Sequence, residues 1–228
     1  MKRFYKDVGV AEEGGAFRVL LDGKPVKSPG RHVLAVPTRA LADAIAAEWR
    51  AQSESVDPKS MPLTGLAMAA TDSQSAERAE QALTYAKSDL LCYRAGEPAE
   101  LAARQAAIWD PLLDWAATRF GARLAVATGI VFVDQPPEAL AALEKAVRGR
   151  APFELAALHA AAAIMGSLVL ALALADGRLT AADAFAASRI DEGFQAEKWG
   201  TDAEAEARAA RLADELGAVA RFLAALDA

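Results

Sequence analysis

The chain has 228 residues and a net charge of −6, and 54% of its residues are hydrophobic. This composition excludes a disordered chain, and the negative charge makes nucleic acids and anionic membranes poor partners. Cys92 is the single cysteine, so no intrachain disulfide can form, and its apolar neighbours predict a structural thiol. The N-terminal residues MKRFYKDVGV lack the long apolar core of a secretion signal. We therefore expect a cytoplasmic protein that binds no nucleic acid.

The first 60 residues are rich in short runs typical of β-strands. FYKDVGV, AFRVLLD and HVLAVP combine β-branched and aromatic residues with partial alternation. Asp22-Gly23 predicts a tight hairpin turn, because both residues tolerate positive φ. Thr38 can cap a helix over ALADAIAAEWRAQ, residues 40–52. The sequence therefore predicts an N-terminal domain, residues 1–60, in which a small antiparallel β-sheet is closed by one helix.

From residue 61 onward nearly every segment has a helical pattern, with glycines or prolines at most of the joints. The predicted helices cover residues 64–72, 75–92, 97–120, 137–149, 152–175, 180–198 and 202–226. ATGIVFVDQ, residues 127–135, interrupts them and is expected to cross the bundle as an extended link. The predicted fold class is α+β, with a mainly α-helical bundle domain spanning residues 61–228.

One segment approaches the length of a membrane span. Residues 155–175 read LAALHAAAAIMGSLVLALALA. Much of the segment is alanine, it contains His159, and no cluster of positive charge flanks it on one side. A helix that is apolar all round is also typical of the centre of a helical bundle. We expect a buried core helix and no membrane insertion.

The chain lacks the usual signatures of catalysis. It contains no dinucleotide-binding fingerprint, no phosphate-binding loop and no nucleophile elbow. His32 and His159 lie far apart in sequence, which disfavours a metal site built on histidine. We expect no cofactor, no metal and no catalytic residue. The alternative from the residues alone is a small enzyme that uses Asp/Glu acid–base chemistry, to which Mg²⁺ could bind.

The most unusual segment is DEGFQAEKWGTDAEAEAR, residues 191–208, which holds six carboxylates and one tryptophan. Thr201 and Glu204 have the spacing of a capping box, with Asp202 in the first turn of the following helix. On the preceding helix, Ser188, Glu192, Gln195 and Trp199 form a stripe of polar and indole side chains. An exposed tryptophan beside a carboxylate is typical of a protein-binding hot spot. The alternative is that Trp199 anchors the corner between two helices.

Trp109 and Trp115 flank Asp110-Pro111 in the segment QAAIWDPLLDWA. Their spacing with apolar neighbours predicts core positions. Pro111 predicts a kink or the start of a new helix, because proline lacks the N–H that continues a helix.

Several long motifs, in order along the whole chain, resemble the ATP synthase assembly chaperones of the family called ATP-twelve. They are RFYKDV (3–8), LDGKPVKSP (21–29), VPTRALADAIAAEWRAQ (36–52), MPLTGLAMAATD (61–72), SDLLCYRA (88–95), WDPLLDW (109–115), GSLVLALA (166–173) and DEGFQAEKWGTDAEA (191–205).

This resemblance implies a two-domain protein without enzyme activity or cofactor. It implies a chaperone that binds the unassembled alpha subunit of the catalytic sector of ATP synthase and prevents its aggregation until the beta subunit replaces it. Because the chain begins directly at RFYK, without the leader of the mitochondrial members, we expect a bacterial cytoplasmic relative of proteins from the mitochondrial matrix. The high net acidity disfavours non-specific self-association, and we expect a monomer.

The resemblance also indicates where the client binds. The family's important glutamates lie in the acidic segment near the C-terminus, which implies partner-binding roles for Glu192, Glu197 and Glu204. Trp199 and Asp202 lie beside them and belong to the same expected surface. Trp49, in the motif AEWRAQ, is expected to support folding between the domains and not to contact the client.

Overall fold

The computed structural model describes residues 1–228 and confirms the α+β class, with a small antiparallel sheet and ten helices. The chain forms two compact units. The N-terminal unit comprises Met1–Ser75, Ala151–Ala157 and Ala218–Ala228, and the C-terminal unit comprises Ala76–Arg150 and Leu158–Gly217. The division into domains of residues 1–60 and 61–228 stays a prediction.

Strand β2 organises the sheet of the N-terminal unit, because the other three strands all pair with it in antiparallel orientation. The strands are β1 (Val8–Glu13), β2 (Ala16–Leu21), β3 (Lys24–Pro25) and β4 (Ala35–Val36). The turn between β2 and β3 confirms the predicted hairpin, since Asp22 and Gly23 have φ of +47° and +78°. A second tight turn, Gly14-Gly15, joins β1 to β2.

Helix α1 (Arg39–Arg50) packs against β1 and β2 and completes the core of this unit. Thr38 caps it as predicted, with its hydroxyl accepting a hydrogen bond from the backbone N–H of Leu41 at 3.2 Å. Leu41, Ile45 and Trp49 share its buried face.

Two carboxylates hold the two ends of helix α2 (Pro62–Asp72). At the start of α2, Glu48 accepts hydrogen bonds from the backbone N–H groups of Leu63 and Thr64, each at 2.8 Å. These N–H groups have no acceptor within their own helix, so a side chain from α1 replaces the missing local cap. At the other end, Asp72 accepts hydrogen bonds from the Ser28 hydroxyl and from the backbone N–H of Gly30, the latter at 2.8 Å, and it lies 2.9 Å from Nδ1 of His32.

The remaining helices provide most of the C-terminal unit, and three of them also contribute residues to the N-terminal unit. They are α3 (Ser75–Lys87), α4 (Ala99–Phe120), α5 (Pro137–Arg148), α6 (Pro152–Met165), α7 (Leu168–Ala175), α8 (Ala181–Ser188), α9 (Ile190–Trp199) and α10 (Ala203–Leu226). The helices with residues in both units are α6, α10 and α3, the last through Ser75 alone.

The predicted helices 152–175 and 180–198 are each wrong in one respect, because each is two helices. The first breaks at Gly166, whose φ of +67° ends α6, and the hydroxyl of Ser167 then caps α7. The second breaks at Arg189, between α8 and α9. No helix in the structure combines the length and the apolar character that a membrane crossing requires.

Helix α7 is buried from Leu168 to Leu174, and its first turn needs acceptors for its backbone N–H groups. The fully buried carboxylate of Asp89 provides one of them. Its Oδ2 accepts from the N–H of Val169 and its Oδ1 from the N–H of Leu91, each at 3.0 Å. Burial raises the pKa of Asp89, an effect that these hydrogen bonds oppose.

Helix α4 continues through Pro111, so this proline does not start a new helix. Trp109 is buried, as predicted, and its Nε1 donates a hydrogen bond to the carbonyl oxygen of Ala187 at 2.8 Å. Trp115 is only half-buried and meets the ring of Phe120 edge to face.

The extended link predicted at residues 127–135 contains a short strand, β6 (Ala127–Thr128), which pairs in parallel with β5 (Tyr93–Arg94). Beyond it the chain does not cross the bundle interior. Ile130 is 100% exposed, and Val131 and Phe132 are also largely exposed. We refer to residues 130–132 as the apolar loop.

We predict that Asp89→Asn lowers the free energy of unfolding by about 1–3 kcal/mol, because the amide offers one acceptor where two backbone N–H groups need one each. Urea denaturation monitored by circular dichroism measures the effect. Asp114→Asn, at an exposed position of α4, is the matched control and should leave stability unchanged. Equal stability of the two variants would contradict the role given to Asp89.

Asp72 provides a test that depends on pH. The hydrogen bonds from Ser28, His32 and Gly30 hold the pKa of its carboxyl below the usual value. A lowered folded-state pKa contributes stability that is present above the unfolded-state pKa, about 4, and is lost as the pH falls through the folded-state value. We therefore expect Asp72→Asn to lower the melting temperature at pH 7, with a difference from the unmodified chain that shrinks towards pH 3. A pH-independent difference would contradict this origin.

Candidate functional site

The acidic segment folds into α9, a turn at Gly200 and the first turns of α10. We call residues 191–208 the acidic corner. Gly200 has a φ of +80°, which lets the chain leave α9 and enter α10 within three residues. A groove of about 570 Å³ lies between the two helices, lined by residues that include Glu192, Gly193 and Gln195 on α9 and Ala205 and Glu206 on α10.

Trp199 occupies the last position of α9 and is 77% exposed. The expectation that it anchors the corner between the helices is therefore wrong. Phe194 provides the buried contact of α9 instead, with the cationic groups of Arg104 and Lys198 each 5.2 Å from its ring centre. The predicted stripe is shorter than expected, because Ser188 is buried in α8, while Glu192, Gln195 and Trp199 are exposed.

Five of the six carboxylates in the acidic corner have partners within the chain. Two of the predicted residues form ion pairs. Glu192 pairs with Nη1 of Arg189 at 2.5 Å, and Glu197 pairs with Nη1 of Arg104 at 2.7 Å. Asp191 accepts a hydrogen bond from Nε2 of Gln105 at 2.6 Å.

The pair formed by Glu197 belongs to a larger network that joins α9 to α4. Arg104 also contacts Glu100 at 2.9 Å, and Glu100 contacts Nζ of Lys198 at 3.1 Å. The hydrogen bond from Lys198, followed by the contribution of Arg104, lowers the pKa of Glu100. Glu197 therefore has a role in holding α9 in place, although exposed pairs of this kind are each worth only about 0.2–1 kcal/mol.

The predicted capping box at Thr201 and Glu204 is wrong by one residue. Helix α10 begins at Ala203, and Asp202 is its cap, with Oδ1 accepting from the backbone N–H of Ala205 at 2.7 Å. The Thr201 hydroxyl donates to the carboxylate of Glu206 instead. Threonine and aspartate are both good caps, and neighbouring positions could not be distinguished from spacing alone.

Glu204 is the sixth carboxylate, and its exposed side chain has neither an ion pair nor a hydrogen bond within the chain. It lies in the first turn of α10, where every residue from Ala203 to Arg208 is exposed. A helix usually buries one face, so a stretch of helix in which every residue is exposed presents a surface that the fold does not use. Trp199 and Glu204 thus combine exposure with the absence of a structural task.

Acid–base catalysis would need a pocket in which buried carboxylates converge. Glu192, Glu197, Asp202 and Glu204 are all exposed. The fully buried carboxylate, Asp89, is occupied by backbone N–H groups. No group of three His, Cys, Asp or Glu side chains is placed to hold a metal ion. The exposed carboxylates of the acidic corner do not form the buried, convergent arrangement that acid–base catalysis needs.

Sequence reasoning missed two surfaces. One is the apolar loop, since a run of apolar residues does not reveal whether the run is buried. The other is an open pocket in the N-terminal unit, which segments distant in sequence assemble.

Trp49 lies in the core of that unit, where its ring packs edge to face on Tyr5 at 5.5 Å and its carbonyl accepts from the Tyr5 hydroxyl at 2.6 Å.

Comparison with known proteins places these features in a family. Residues 2–117 match the ATP12 chaperone protein family. The mitochondrial protein atp12 of Schizosaccharomyces pombe is 25% identical over 215 residues, which cover 88% of this chain and 74% of the yeast protein.

Solved structures of bacterial proteins are more similar. Atp12 from Paracoccus denitrificans superposes with a TM-score of 0.92 at 44% identity, covering 99% of this chain and 98% of that protein. A related protein from Agrobacterium tumefaciens gives a TM-score of 0.94 at 45% identity, covering 99% of this chain and 86% of that protein. The chain therefore belongs to the ATP12 chaperone family, the ATP synthase assembly chaperones that its sequence motifs resemble.

Proposed function

We propose that this assembly chaperone binds the unassembled alpha subunit of ATP synthase through the acidic corner and releases it to the beta subunit. We further propose that it acts as a monomer in the bacterial cytoplasm, without a cofactor and without catalysing a reaction. The observation that carries the choice of surface is that the acidic corner contains both a largely exposed tryptophan, Trp199, and a carboxylate, Glu204, that the fold leaves without a partner.

Trp199 has the properties of a binding anchor. An indole ring offers a large apolar area that loses little conformational freedom on binding, and tryptophan is enriched among residues that dominate interface energies. Exposing such a ring in the free protein is unfavourable, so its burial against a client contributes directly to affinity. Glu204 adds a negative charge that can pair with a basic group of the client and orient the approach.

The apolar loop supports the same proposal. Ile130, Val131 and Phe132 are three consecutive exposed apolar side chains in the C-terminal unit, to which the acidic corner also belongs. Exposed apolar groups of this size are typical of protein-interaction sites. A subunit waiting for assembly has apolar contact surface that aggregates in water, and a chaperone can cover it with such groups.

Exchange of the chaperone for the beta subunit requires an interaction that is specific but weaker than the final subunit contact. A few anchors such as Trp199, surrounded by exposed charges, give this combination better than an extended apolar interface does. The other residues predicted to bind the client then have two different roles. Glu192, Glu197 and Asp202 shape the surface through their internal partners, and Glu204 contacts the client.

Co-purification of the tagged chain with separately expressed alpha and beta subunits of its own ATP synthase tests the proposal. We expect capture of alpha and not of beta. Trp199→Ala should weaken capture roughly 30-fold, which corresponds to a hot spot of about 2 kcal/mol. Glu204→Lys should weaken it about tenfold, because the charge that faces the client is reversed.

Glu138→Lys is the matched control for Glu204→Lys, because both glutamates are exposed in the first turn of a helix. Reversal there has the same effect on the helix dipole and should leave capture intact. Glu197→Lys is a poorer probe, since it also breaks the pair with Arg104. Capture of alpha that withstands both Trp199→Ala and Glu204→Lys would show that the client binds elsewhere, and failure to capture alpha would contradict the proposed client.

A further inference from the structure

We infer that the open pocket of the N-terminal unit is a second docking site, which binds an extended client segment whose apolar side chains are flanked by carboxylates. The identity of the client rests on the proposed function. The pocket has a volume of about 720 Å³ and lies among three stretches of chain, residues 1–5, 21–29 and 49–68. We call it the methionine pocket.

Methionine side chains form part of the lining of this pocket. Met1, Met61 and Met68 are three of the four methionines in the chain, and all three line this one pocket. Methionine is unbranched, flexible and polarisable, so a surface built from it adapts to apolar side chains of different shape. Protein surfaces that accept variable peptide segments use this property.

The pocket is an exposed apolar surface and not part of the packed core. Met1 is 75% exposed and Phe4 is 62% exposed, although both are apolar. Buried residues, Val26 and Trp49 among them, form its floor. Apolar side chains held open to water around a concave floor gain free energy when a partner covers them.

The charges at the rim indicate the chemistry of the partner. Lys24 and Lys27 line the pocket, are exposed and form no ion pair within the chain. Asp22 also lines it, and its carboxylate accepts hydrogen bonds from the backbone N–H groups of Lys6 and Asp7, at 3.0 and 2.8 Å. These hydrogen bonds, together with the charges of Lys6 and Lys24, hold the pKa of Asp22 below its usual value, so Asp22 keeps its negative charge. Two lysines against one carboxylate leave the rim with an excess of positive charge, in a chain whose net charge is −6. Carboxylates on both sides of an apolar side chain would complement it.

The hydroxyl groups that line the pocket already have partners. The Thr64 hydroxyl donates to Glu48 at 2.6 Å, and the Ser28 hydroxyl donates to Asp72. Recognition in the pocket would thus depend on apolar contact, on the two lysines and on the buried Nε1–H of Trp49, which has no hydrogen-bond partner. This differs from the acidic corner, where the client is expected to present a basic group. The two sites would select different parts of the client.

Gly65 allows the pocket to be altered without disturbing the fold. It lies on α2 and lines the pocket, and an added Cβ would have no atom within 4 Å. Glutamine is a better helix former than glycine, so Gly65→Gln should fold at least as stably while placing polar atoms in the pocket. Ala141→Gln, at an exposed position of α5 outside the pocket, is the matched control.

The first measurement is fluorescence anisotropy with two labelled peptides, DELFLDE and its lysine-flanked counterpart KKLFLKK. We expect the full chain to bind the acidic peptide at least tenfold more tightly than the basic one. Gly65→Gln should weaken binding of the acidic peptide at least tenfold, and Ala141→Gln should not change it. The double variant Lys24→Glu/Lys27→Glu should reverse the preference between the two peptides.

The second measurement is capture of the alpha subunit by Gly65→Gln, which we expect to fall at least tenfold. If the unmodified chain captures alpha, and Gly65→Gln retains both capture and peptide binding, the pocket inference is overturned and the proposed function stands. If alpha is not captured but Gly65→Gln abolishes binding of the acidic peptide, the pocket is upheld and the proposed client is wrong. Equal binding of both peptides, or no binding of either, overturns the inference.

Discussion

A helix that is apolar on every side can lie in a protein core only if the N–H groups of its first turn find acceptors there. In the C-terminal unit, Asp89 and Ser167 provide these acceptors for α7. One carboxylate oxygen of Asp89 accepts from the backbone N–H of Val169 on α7, and the other accepts from that of Leu91, outside the helix. Ser167 caps the same helix. The residues of α7 from Leu168 to Leu174 are all buried, and they form the centre around which other helices pack. Without an acceptor at this point, burial of α7 would leave polar groups unsatisfied, and the core would lose its central element.

The carboxylates outside the core fall into two groups, those that have a hydrogen-bond or ion-pair partner within the chain and those that have none. Glu48 and Asp72 hold the two ends of α2, Glu197 joins α9 to α4, and Asp202 begins α10. Acidity at these positions is explained by the fold. Glu204, and on the basic side Lys24 and Lys27, have no such explanation. Charged groups without an ion pair or hydrogen bond in the chain, placed beside apolar side chains held open to water, are the features expected of a protein whose partner lies outside its own chain.

Local signals in the sequence were sufficient for local structure. Asp22-Gly23 and Thr38 act as predicted because turn and cap preferences depend on a few neighbouring residues. The break between α6 and α7 was not predicted, because Gly166 lies in an unbroken apolar run. The carboxylate that accepts a hydrogen bond from the first turn of α7 belongs to Asp89, which is distant in sequence. The sequence indicated the acidic corner as a site, but not which of its carboxylates have partners within the chain. Those partners include Arg104 and Gln105, which only the tertiary fold brings close to the corner. The methionine pocket was missed for the same reason, since its lining comes from three separate segments.

Cys92 is buried at the end of the 3₁₀ turn Leu90–Cys92, just before strand β5. Burial, reinforced by the nearby charge of Asp89, raises the pKa of its thiol to about 12. At neutral pH the side chain is therefore almost entirely protonated and shielded from electrophiles, and the reactive form of a cysteine is the thiolate. We therefore expect the native protein to react with maleimides and similar reagents as if it had no cysteine. A cysteine introduced at any exposed position would be the sole reactive thiol, so dyes, spin labels or crosslinkers could be attached at one chosen place without first removing a core residue.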